Sequence, residues 1–88
     1  MVYQLRLTNE ALEDLSRLTK TNAQRVADRL KWLHSNLDGI TLQPLKGSLK
    51  GCYKLRIGDY RAIYSIDRSS ATVTVNAVAH RSEAYHQK

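Results

Sequence analysis

The spacing of apolar residues in the first half of the chain predicts one strand and two helices. Positions 3–7 alternate between apolar and polar side chains, as a half-buried strand does. Thr8 follows as an N-cap, and the apolar residues after it keep helical spacing. The capping-box pattern at residues 21–24 predicts the start of a second helix, and Gly39 predicts its end. Trp32, within this helix, is interpreted as packing in the core or between the two helices.

The second half of the chain changes to a period of two and predicts three more strands. After a loop over residues 39–52, strands are predicted at 53–57, 60–66 and 71–79, with short turns between them. The element order is therefore β-α-α-β-β-β within a single domain of residues 1–88. It predicts an α+β fold in which a helical hairpin packs on one face of a small, mainly antiparallel four-stranded sheet.

The turn between the second and third predicted strands fixes their register. If Gly58-Asp59 is a two-residue loop, Arg56 pairs with Arg61 and Lys54 with Ile63. Side chains alternate along a strand and cross-strand partners share a face, so the two faces can be assigned. The face under the helices receives Tyr53, Leu55, Ile57, Tyr60, Ala62, Tyr64, Ile66, Val73, Val75 and Ala77. The opposite face receives Lys54, Arg56, Arg61, Ser65, Thr72, Thr74 and Asn76, joined by Gln4 and Arg6 if Leu5 points inward.

Arg56 directly opposite Arg61 is an unfavourable pair. Like charges across an antiparallel pair repel each other, by up to about 1 kcal/mol. Two explanations remain open at this point: the pair binds an anion such as a backbone phosphate, or the charged sheet face discourages aggregation. Lys46 and Lys50, in the loop before the hairpin, enlarge the same positive region.

The charge of the chain is unevenly distributed. The 88 residues carry a formal net charge of +6, with 14 Lys and Arg against 8 Asp and Glu. Residues 1–45 hold six basic and five acidic side chains, whereas residues 46–88 hold eight and three. A basic half of this kind indicates a polyanion or an acidic partner, although a basic surface also serves solubility alone.

The remaining features of the sequence limit the classes of site. The single cysteine, Cys52, has no internal disulfide partner and indicates a reducing compartment. The chain has no signal-peptide pattern and no apolar run of membrane-spanning length, so we expect a cytoplasmic protein with no membrane association. It also lacks Cys-x-x-Cys, His-x-x-x-His and phosphate-loop motifs, so neither a metal nor a cofactor is expected.

Four blocks of the sequence, taken in order, resemble the RelE/ParE toxin superfamily and most of all its RelE branch. They are Pro44-Leu45-Lys46-Gly47, Gly51-Cys52-Tyr53-Lys54-Leu55-Arg56, Asp59-Tyr60-Arg61-Ala62-Ile63-Tyr64 and Ala79-His80-Arg81-Ser82-Glu83-Ala84-Tyr85. The resemblance implies a RelE-like fold of the microbial-RNase type. It also implies a toxin of a type II toxin–antitoxin system that enters the ribosomal A site and cuts messenger RNA. In that reaction the 2′-hydroxyl attacks the adjacent phosphate and leaves a cyclic phosphate and a 5′-hydroxyl.

The resemblance also implies roles for particular residues. The basic positions of the family's hairpin fall on Lys54, Arg56 and Arg61, a basic loop position falls on Lys46, and the family's C-terminal tyrosine falls on Tyr85. The family's basic residue near the tail falls on either His80 or Arg81. A guanidinium stays protonated and bonds two phosphate oxygens, which suits Arg56 and Arg61 to a phosphate whose charge grows in the transition state. Lys54 and Tyr85 are then candidates for activating the 2′-hydroxyl, and His80 for protonating the leaving oxygen.

The expected partners follow from this class of protein. They are the ribosome with its messenger RNA, and a cognate antitoxin that covers the basic face and represses the shared operon. Two alternatives remain: a ParE-like inhibitor of DNA gyrase without nuclease activity, and a degenerate domain that only binds its antitoxin.

Overall fold

A four-stranded sheet with two helices packed on one face organises the chain. The computed structural model describes residues 3–80. The elements are β1 (Gln4–Leu7), α1 (Asn9–Ser16), α2 (Lys20–Ser35), β2 (Tyr53–Ile57), β3 (Tyr60–Asp67) and β4 (Thr72–His80), with short 3-10 turns at Leu37–Gly39 and Gly47–Leu49. The strand order is β1-β4-β3-β2, with β1 parallel to β4 and the other pairs antiparallel. The predicted element order and α+β class are confirmed. No helix among these residues is long and apolar enough to cross a membrane.

Threonine side chains cap both helices at their N-termini. Thr8 begins α1 as predicted, since its Oγ1 accepts a hydrogen bond from the Ala11 amide at 3.1 Å. The predicted start of α2 at Thr21 is wrong. Thr19 is the N-cap, because its extended backbone ends the three-residue connection and its Oγ1 accepts from the Asn22 amide at 3.2 Å.

The second helix also ends earlier than Gly39. Asn36 closes it after Ser35: its Nδ2 donates to the Trp32 carbonyl at 2.8 Å, and its backbone leaves the helical region at φ −122°. Residues 37–39 then form a 3-10 turn, and Leu37 is buried there. The apolar stripe therefore continues beyond the helix, which is why the sequence pattern overestimated its length.

The core fills the space between the helices and the near face of the sheet. Its most deeply buried members are Val26, Leu30, Leu33, Tyr64, Val73 and Val75. Leu5 packs against this cluster from β1, so Gln4 and Arg6 point to the opposite face, as predicted. Trp32 does not belong to the core. Its side chain is 37% exposed on α2, where the Arg29 guanidinium lies 4.2 Å from the ring centroid, so the interpretation of Trp32 as core packing is wrong.

The hairpin register is the predicted one, but a β-bulge changes which side chains of the last strand point toward the helices. Arg56 pairs with Arg61 and Lys54 with Ile63. Between β3 and β4, Ile63 pairs with Ala77 while Tyr64 pairs with Val75, so Asn76 is an extra residue in β4. Ala77 therefore faces away from the helices rather than toward them, although it is buried, and this part of the face prediction is wrong. Val78 takes the inward position instead.

Candidate functional site

The face of the sheet opposite the helices, called here the outer face, carries a compact group of basic side chains. Lys54 and Arg56 are two residues apart on β2, so their side chains lie on the same face about 7 Å apart. Arg61 lies directly across from Arg56 on β3. Cross-strand partners have Cβ atoms about 5 Å apart, so two guanidinium groups and one ammonium group share a small area. These three residues are called the cationic patch.

The two arginines of the cationic patch are not neutralised within the described part of the chain. Arg56 Nε contacts the Gly58 carbonyl at 3.5 Å, and Arg61 Nη1 donates to the Tyr60 carbonyl at 3.2 Å. Both acceptors are backbone carbonyls, which carry no formal charge. On the other side of Arg61 the paired residue of β4 is Ala79, whose methyl group offers no compensating charge either. Arg56 is exposed and Arg61 half-buried, so the patch is open to an anionic ligand.

The loop that carries Lys46 and Lys50 is hydrogen-bonded to the start of β2. The Leu45 amide donates to the Cys52 carbonyl at 3.0 Å, and the Lys54 amide donates to the Gln43 carbonyl at 3.0 Å. These bonds hold the loop against the strand that carries Lys54. Lys46 and Lys50 flank the 3-10 turn of this loop and are both exposed. Both lysines are therefore available to a ligand, and a positive region that continues from the loop to the hairpin stays a prediction.

Arg6 lies on the outer face but apart from the cationic patch. It belongs to β1, at one edge of the sheet, and pairs with Thr74 of β4. The cationic patch lies on β2 and β3 at the opposite side of the sheet. Arg6 instead lines an open groove of about 470 Å³ with polar residues of β1 and β4 and of the turn before β4.

His80 lies on the helix side of the sheet. The bulge at Asn76 shifts the alternation of β4 by one residue, so His80 pairs with Tyr60. The two rings contact edge to face with centroids 5.6 Å apart. His80 also lines a second cavity, of about 390 Å³, together with Asp14, Arg17 and Tyr60. The structure therefore does not bring His80 together with Arg56 and Arg61.

The remaining candidates fall outside the region that the structure covers. Arg81 and Tyr85 lie beyond residue 80, so their positions relative to the cationic patch stay predictions. Within residues 3–80 no group of three His, Cys, Asp or Glu side chains is arranged to hold a metal ion. The described residues therefore group side chains that can bind an anion. Two guanidinium groups can donate up to four hydrogen bonds to the non-bridging oxygens of a phosphate, and a lysine two residues away lies beside them.

Sequence reasoning missed two aspartates, one on the helix side of the sheet and one on the outer face. Asp14 accepts a hydrogen bond from the Val78 amide through Oδ2 at 2.9 Å and so holds the end of β4 against α1. Asp67 brings a carboxylate to the outer face at the rim of the Arg6 groove. Asp14 was not detectable from local pattern, because it acts between elements distant in sequence. Asp67 lies in the turn that was predicted before the last strand, but nothing in the sequence indicated that its carboxylate borders a groove.

Comparison with known proteins identifies the family. A family model described as the ParE toxin of the type II toxin–antitoxin system parDE matches residues 5–85. Toxin RelE of Mycobacterium tuberculosis is 31% identical over 83 residues, which cover 94% of this chain and 86% of that protein. Toxin RelG of the same organism is 31% identical over 90 residues, covering 99% and 100%.

Solved structures agree with this assignment. The toxin of the RelBE2 toxin–antitoxin complex from Mycobacterium tuberculosis superposes with a TM-score of 0.82 and 32% identity, over 92% of this chain and 94% of that chain. The intact RelBE toxin–antitoxin complex of E. coli gives a TM-score of 0.69 and 25% identity over 90% and 96%. The chain therefore belongs to the RelE/ParE superfamily of type II toxin–antitoxin toxins, and its named relatives are RelE-like.

Proposed function

We propose that this toxin is a ribosome-dependent, metal-independent endoribonuclease that cuts messenger RNA at the A-site codon and thereby inhibits translation. The observation that carries the proposal is the direct pairing of Arg56 with Arg61 on the exposed outer face, with Lys54 beside them. Such a pair lowers the stability of the fold by up to about 1 kcal/mol, so its presence is explained best by an anion that it binds. A phosphodiester is the anion that a member of this toxin class meets on RNA.

The proposed roles follow from how readily each side chain gives up its proton. Arg56 and Arg61 bind the scissile phosphate and stabilise the negative charge that grows on its oxygens as the 2′-hydroxyl attacks. Lys54 and Tyr85 are the candidates for removing the proton from that hydroxyl. The P–O5′ bond breaks as the new P–O2′ bond forms, which yields a 2′,3′-cyclic phosphate, and the leaving 5′-oxygen takes up a proton.

The source of that last proton is the part of the proposal most affected by the fold. His80 lies on the helix side of the sheet, beside Tyr60, and the guanidinium groups lie on the other side. Of the two tail positions considered from sequence, we therefore propose Arg81 rather than His80 as the one that binds the phosphate. Because a guanidinium stays protonated, we propose a water molecule as the source of the proton for the leaving oxygen. Lys46 and Lys50, which are exposed in the loop before β2, are proposed to contact RNA of the message or the ribosome.

The proposed partners are an antitoxin and the translating ribosome. Toxins in the similar solved structures are bound to RelB antitoxins in complexes from several organisms. We propose that an antitoxin of this kind binds the present chain, covers the cationic patch and represses the shared operon. Because the proposed target is a ribosome-bound message, the proposed site of action is the cytoplasm.

The proposal is tested by cleavage of a defined messenger RNA. Purified protein is incubated with the message alone or with ribosomes stalled at a known codon, and the 5′ ends of the products are mapped. We expect cutting within the A-site codon only when ribosomes are present, with no requirement for added divalent metal beyond that of the ribosome. Arg61→Ala and Arg56→Ala are expected to lower the cleavage rate at least about a hundredfold, because each removes a donor to the transition state.

A matched variant and a second assay make the result interpretable. Lys31→Ala removes one positive charge from an exposed position of α2, away from the outer face, and is expected to cut at the wild-type rate. Thermal unfolding checks that each variant is folded. If folded wild-type protein arrests growth but cuts no message under either condition, the nuclease proposal fails, and a supercoiling assay with DNA gyrase tests the alternative. Protein that binds antitoxin but neither arrests growth nor cuts RNA would instead be a degenerate toxin.

A further inference from the structure

The outer face contains a second polar region, distinct from the cationic patch. It consists of two rows of side chains that run across the sheet, called rungs here. Each rung contains one residue of β1, its partner on β4, and the residue of β3 that pairs with that partner. The first rung is Gln4, Thr72 and Asp67; the second is Arg6, Thr74 and Ser65. All six side chains carry hydrogen-bonding groups, and most of them line the open groove of about 470 Å³. The six residues are called the polar groove.

The charges of the polar groove are placed at opposite corners. Arg6 ends one rung on β1, and Asp67 ends the other rung on β3. Two residues along the strands and two strand spacings separate their Cα atoms by about 12 Å. Arg6 makes no ion pair with another residue of the described range, so the sheet keeps the guanidinium and the carboxylate apart. Two opposite charges facing one groove across this distance suit a flat ligand that has acceptors at one end and a donor at the other.

The carboxylate of Asp67 is held in position by its own turn. Oδ1 accepts from the Ser69 amide at 3.0 Å, the Ser69 hydroxyl at 2.6 Å and the Ser70 amide at 3.3 Å. These hydrogen bonds also keep the pKa of Asp67 below its usual value, with the Ser69 hydroxyl as the largest cause. Because they all fall on Oδ1, the other oxygen of this ionised group can accept from a ligand.

An ionised carboxylate in the groove argues against a phosphate as the ligand and in favour of a base. Phosphate and carboxylate repel each other, whereas exposed bases of single-stranded RNA are recognised through hydrogen bonds to their edges. Guanine presents two neighbouring acceptors, O6 and N7, which match the fork of an arginine. It also carries a donor, the N2 amino group, at its opposite end.

We propose that the polar groove binds a guanine base of the RNA strand, with Arg6 donating to O6 and N7 and Asp67 accepting from the N2 amino group. Thr72 and Thr74, on β4, lie between these two ends and complete the polar surface. This inference rests on the proposed function, because it takes RNA as the substrate. It adds to that function a residue pair that selects the sequence of the message.

The position of the groove fits an RNA strand that also occupies the cationic patch. Arg6 and Arg61 are separated by four residues along the strands and two strand spacings, or about 16 Å between their Cα atoms. About two or three nucleotides of extended strand span such a distance while their backbone follows a charged surface. The selected guanine therefore lies about two or three nucleotides from the scissile phosphate, rather than next to it.

The test measures base preference by equilibrium binding, which does not depend on cleavage. Fluorescence anisotropy is recorded for short single-stranded RNAs that contain one guanine in a uridine background, and for the same RNAs with 7-deazaguanine or inosine at that position. The first analogue lacks N7 and the second lacks the N2 amino group. We expect wild-type protein to bind the guanine RNA about tenfold more tightly than either analogue, as each lost contact predicts.

Each variant should remove the preference to which its side chain contributes. Arg6→Ala should reduce the ratio of dissociation constants for 7-deazaguanine and guanine RNA to near one. Asp67→Asn should do the same for inosine and guanine. Thr74→Val, which keeps shape but loses the hydroxyl, provides a second variant in the groove if Asp67→Asn unfolds. Lys31→Ala is the charge-matched control and should keep both ratios.

The outcomes separate this inference from the proposed function. Equal loss of affinity for all three RNAs in Arg6→Ala would mean that the groove contacts the RNA backbone, and would overturn base selection. The absence of any guanine preference in the wild type, or of RNA binding altogether, would overturn it as well. A guanine preference that depends on Arg6, found in a protein that cuts no ribosome-bound message, would support the groove while the nuclease proposal fails.

Discussion

Tyr64 shows how strongly a single side chain of this fold depends on burial. Its side chain is 1% exposed, and its ring centroid lies 5.7 Å from that of Tyr53. Burial, with a smaller repulsion from Tyr53, raises the pKa of Tyr64 from 10.0 to about 12. A phenol whose pKa is raised on folding lowers the stability of the folded state at any pH at which the unfolded chain ionises more readily, because ionisation then draws the protein toward the unfolded state.

The raised pKa of Tyr64 makes the free energy of unfolding fall at alkaline pH. Stability contributed by Tyr64 is fully present below pH 10 and is lost as pH rises from 10 toward about 12, because the unfolded tyrosine then ionises first. We expect Tyr64→Phe to lose less of its free energy of unfolding over this range than the wild type does. Urea denaturation at pH 8, 10 and 11 measures the difference, with pH 8 as the baseline. Parallel curves for the two proteins would contradict the role assigned to Tyr64.

At the scale of elements, the sequence predicts the register of the hairpin better than it predicts the polar groove. The pairing of Arg56 with Arg61 could be predicted because a two-residue turn and strict alternation leave one register, and Gly58 adopts the positive φ of +60° that such a turn needs. The groove was less predictable. Its rungs depend on the parallel pairing of β1 with β4, and no turn connects these strands to fix their register.

The bulge in β4 could not be predicted, because its causes lie elsewhere in the chain. Val73, Val75 and Ala77 alternate as a regular strand would, and no glycine or proline marks the extra residue. The irregular backbone is satisfied by the start of α1 instead. The Thr8 amide donates to the Val75 carbonyl, and the Thr8 hydroxyl to the Asn76 carbonyl, both at 3.0 Å. The position of His80 on the helix side of the sheet depends on this bulge, so the sequence could not predict it either.

Asp14 is the side chain that ties α1 to the strand beyond the bulge. Its Oδ2 accepts from the Val78 amide at 2.9 Å. We expect Asp14→Ala to lower the free energy of unfolding by about 1–3 kcal/mol, because a partly buried amide loses a charged acceptor. Asp14→Asn, which keeps an acceptor oxygen, should cost less.

Glu13 provides the matched control for this prediction. It is the neighbouring acid of α1, its side chain is 71% exposed, and its contact with Arg17 is 3.9 Å long. Exposed pairs of this kind contribute little, so Glu13→Ala should change stability by less than about 0.5 kcal/mol. Urea denaturation compares the three variants under the same conditions. Equal effects of Asp14→Ala and Glu13→Ala would mean that the bond to Val78 does not hold the strand.

At the scale of the whole molecule, one sheet separates two kinds of surface. The face toward the helices is closed by the apolar core, and the outer face gathers Lys54, Arg56 and Arg61. Along the sequence, residues 46–88 hold eight of the 14 basic side chains and three of the 8 acidic ones. An electrostatic surface of this kind should bind RNA in a manner that depends strongly on salt.

The salt dependence can be assigned to individual residues of that surface. For single-stranded nucleic acid, each phosphate that a protein neutralises contributes about 0.7 to the slope of log K against log salt concentration. Because both arginines bind the same phosphate, we expect Arg56→Ala and Arg61→Ala each to lower the magnitude of that slope by up to about 0.7, and Lys31→Ala to leave it unchanged. Anisotropy titrations of a uridine-only RNA over a range of salt concentrations measure the slopes without contribution from a guanine. If either arginine variant weakened binding while the slope stayed at the wild-type value, that arginine would not be neutralising a phosphate, and its place opposite the other arginine would need another explanation.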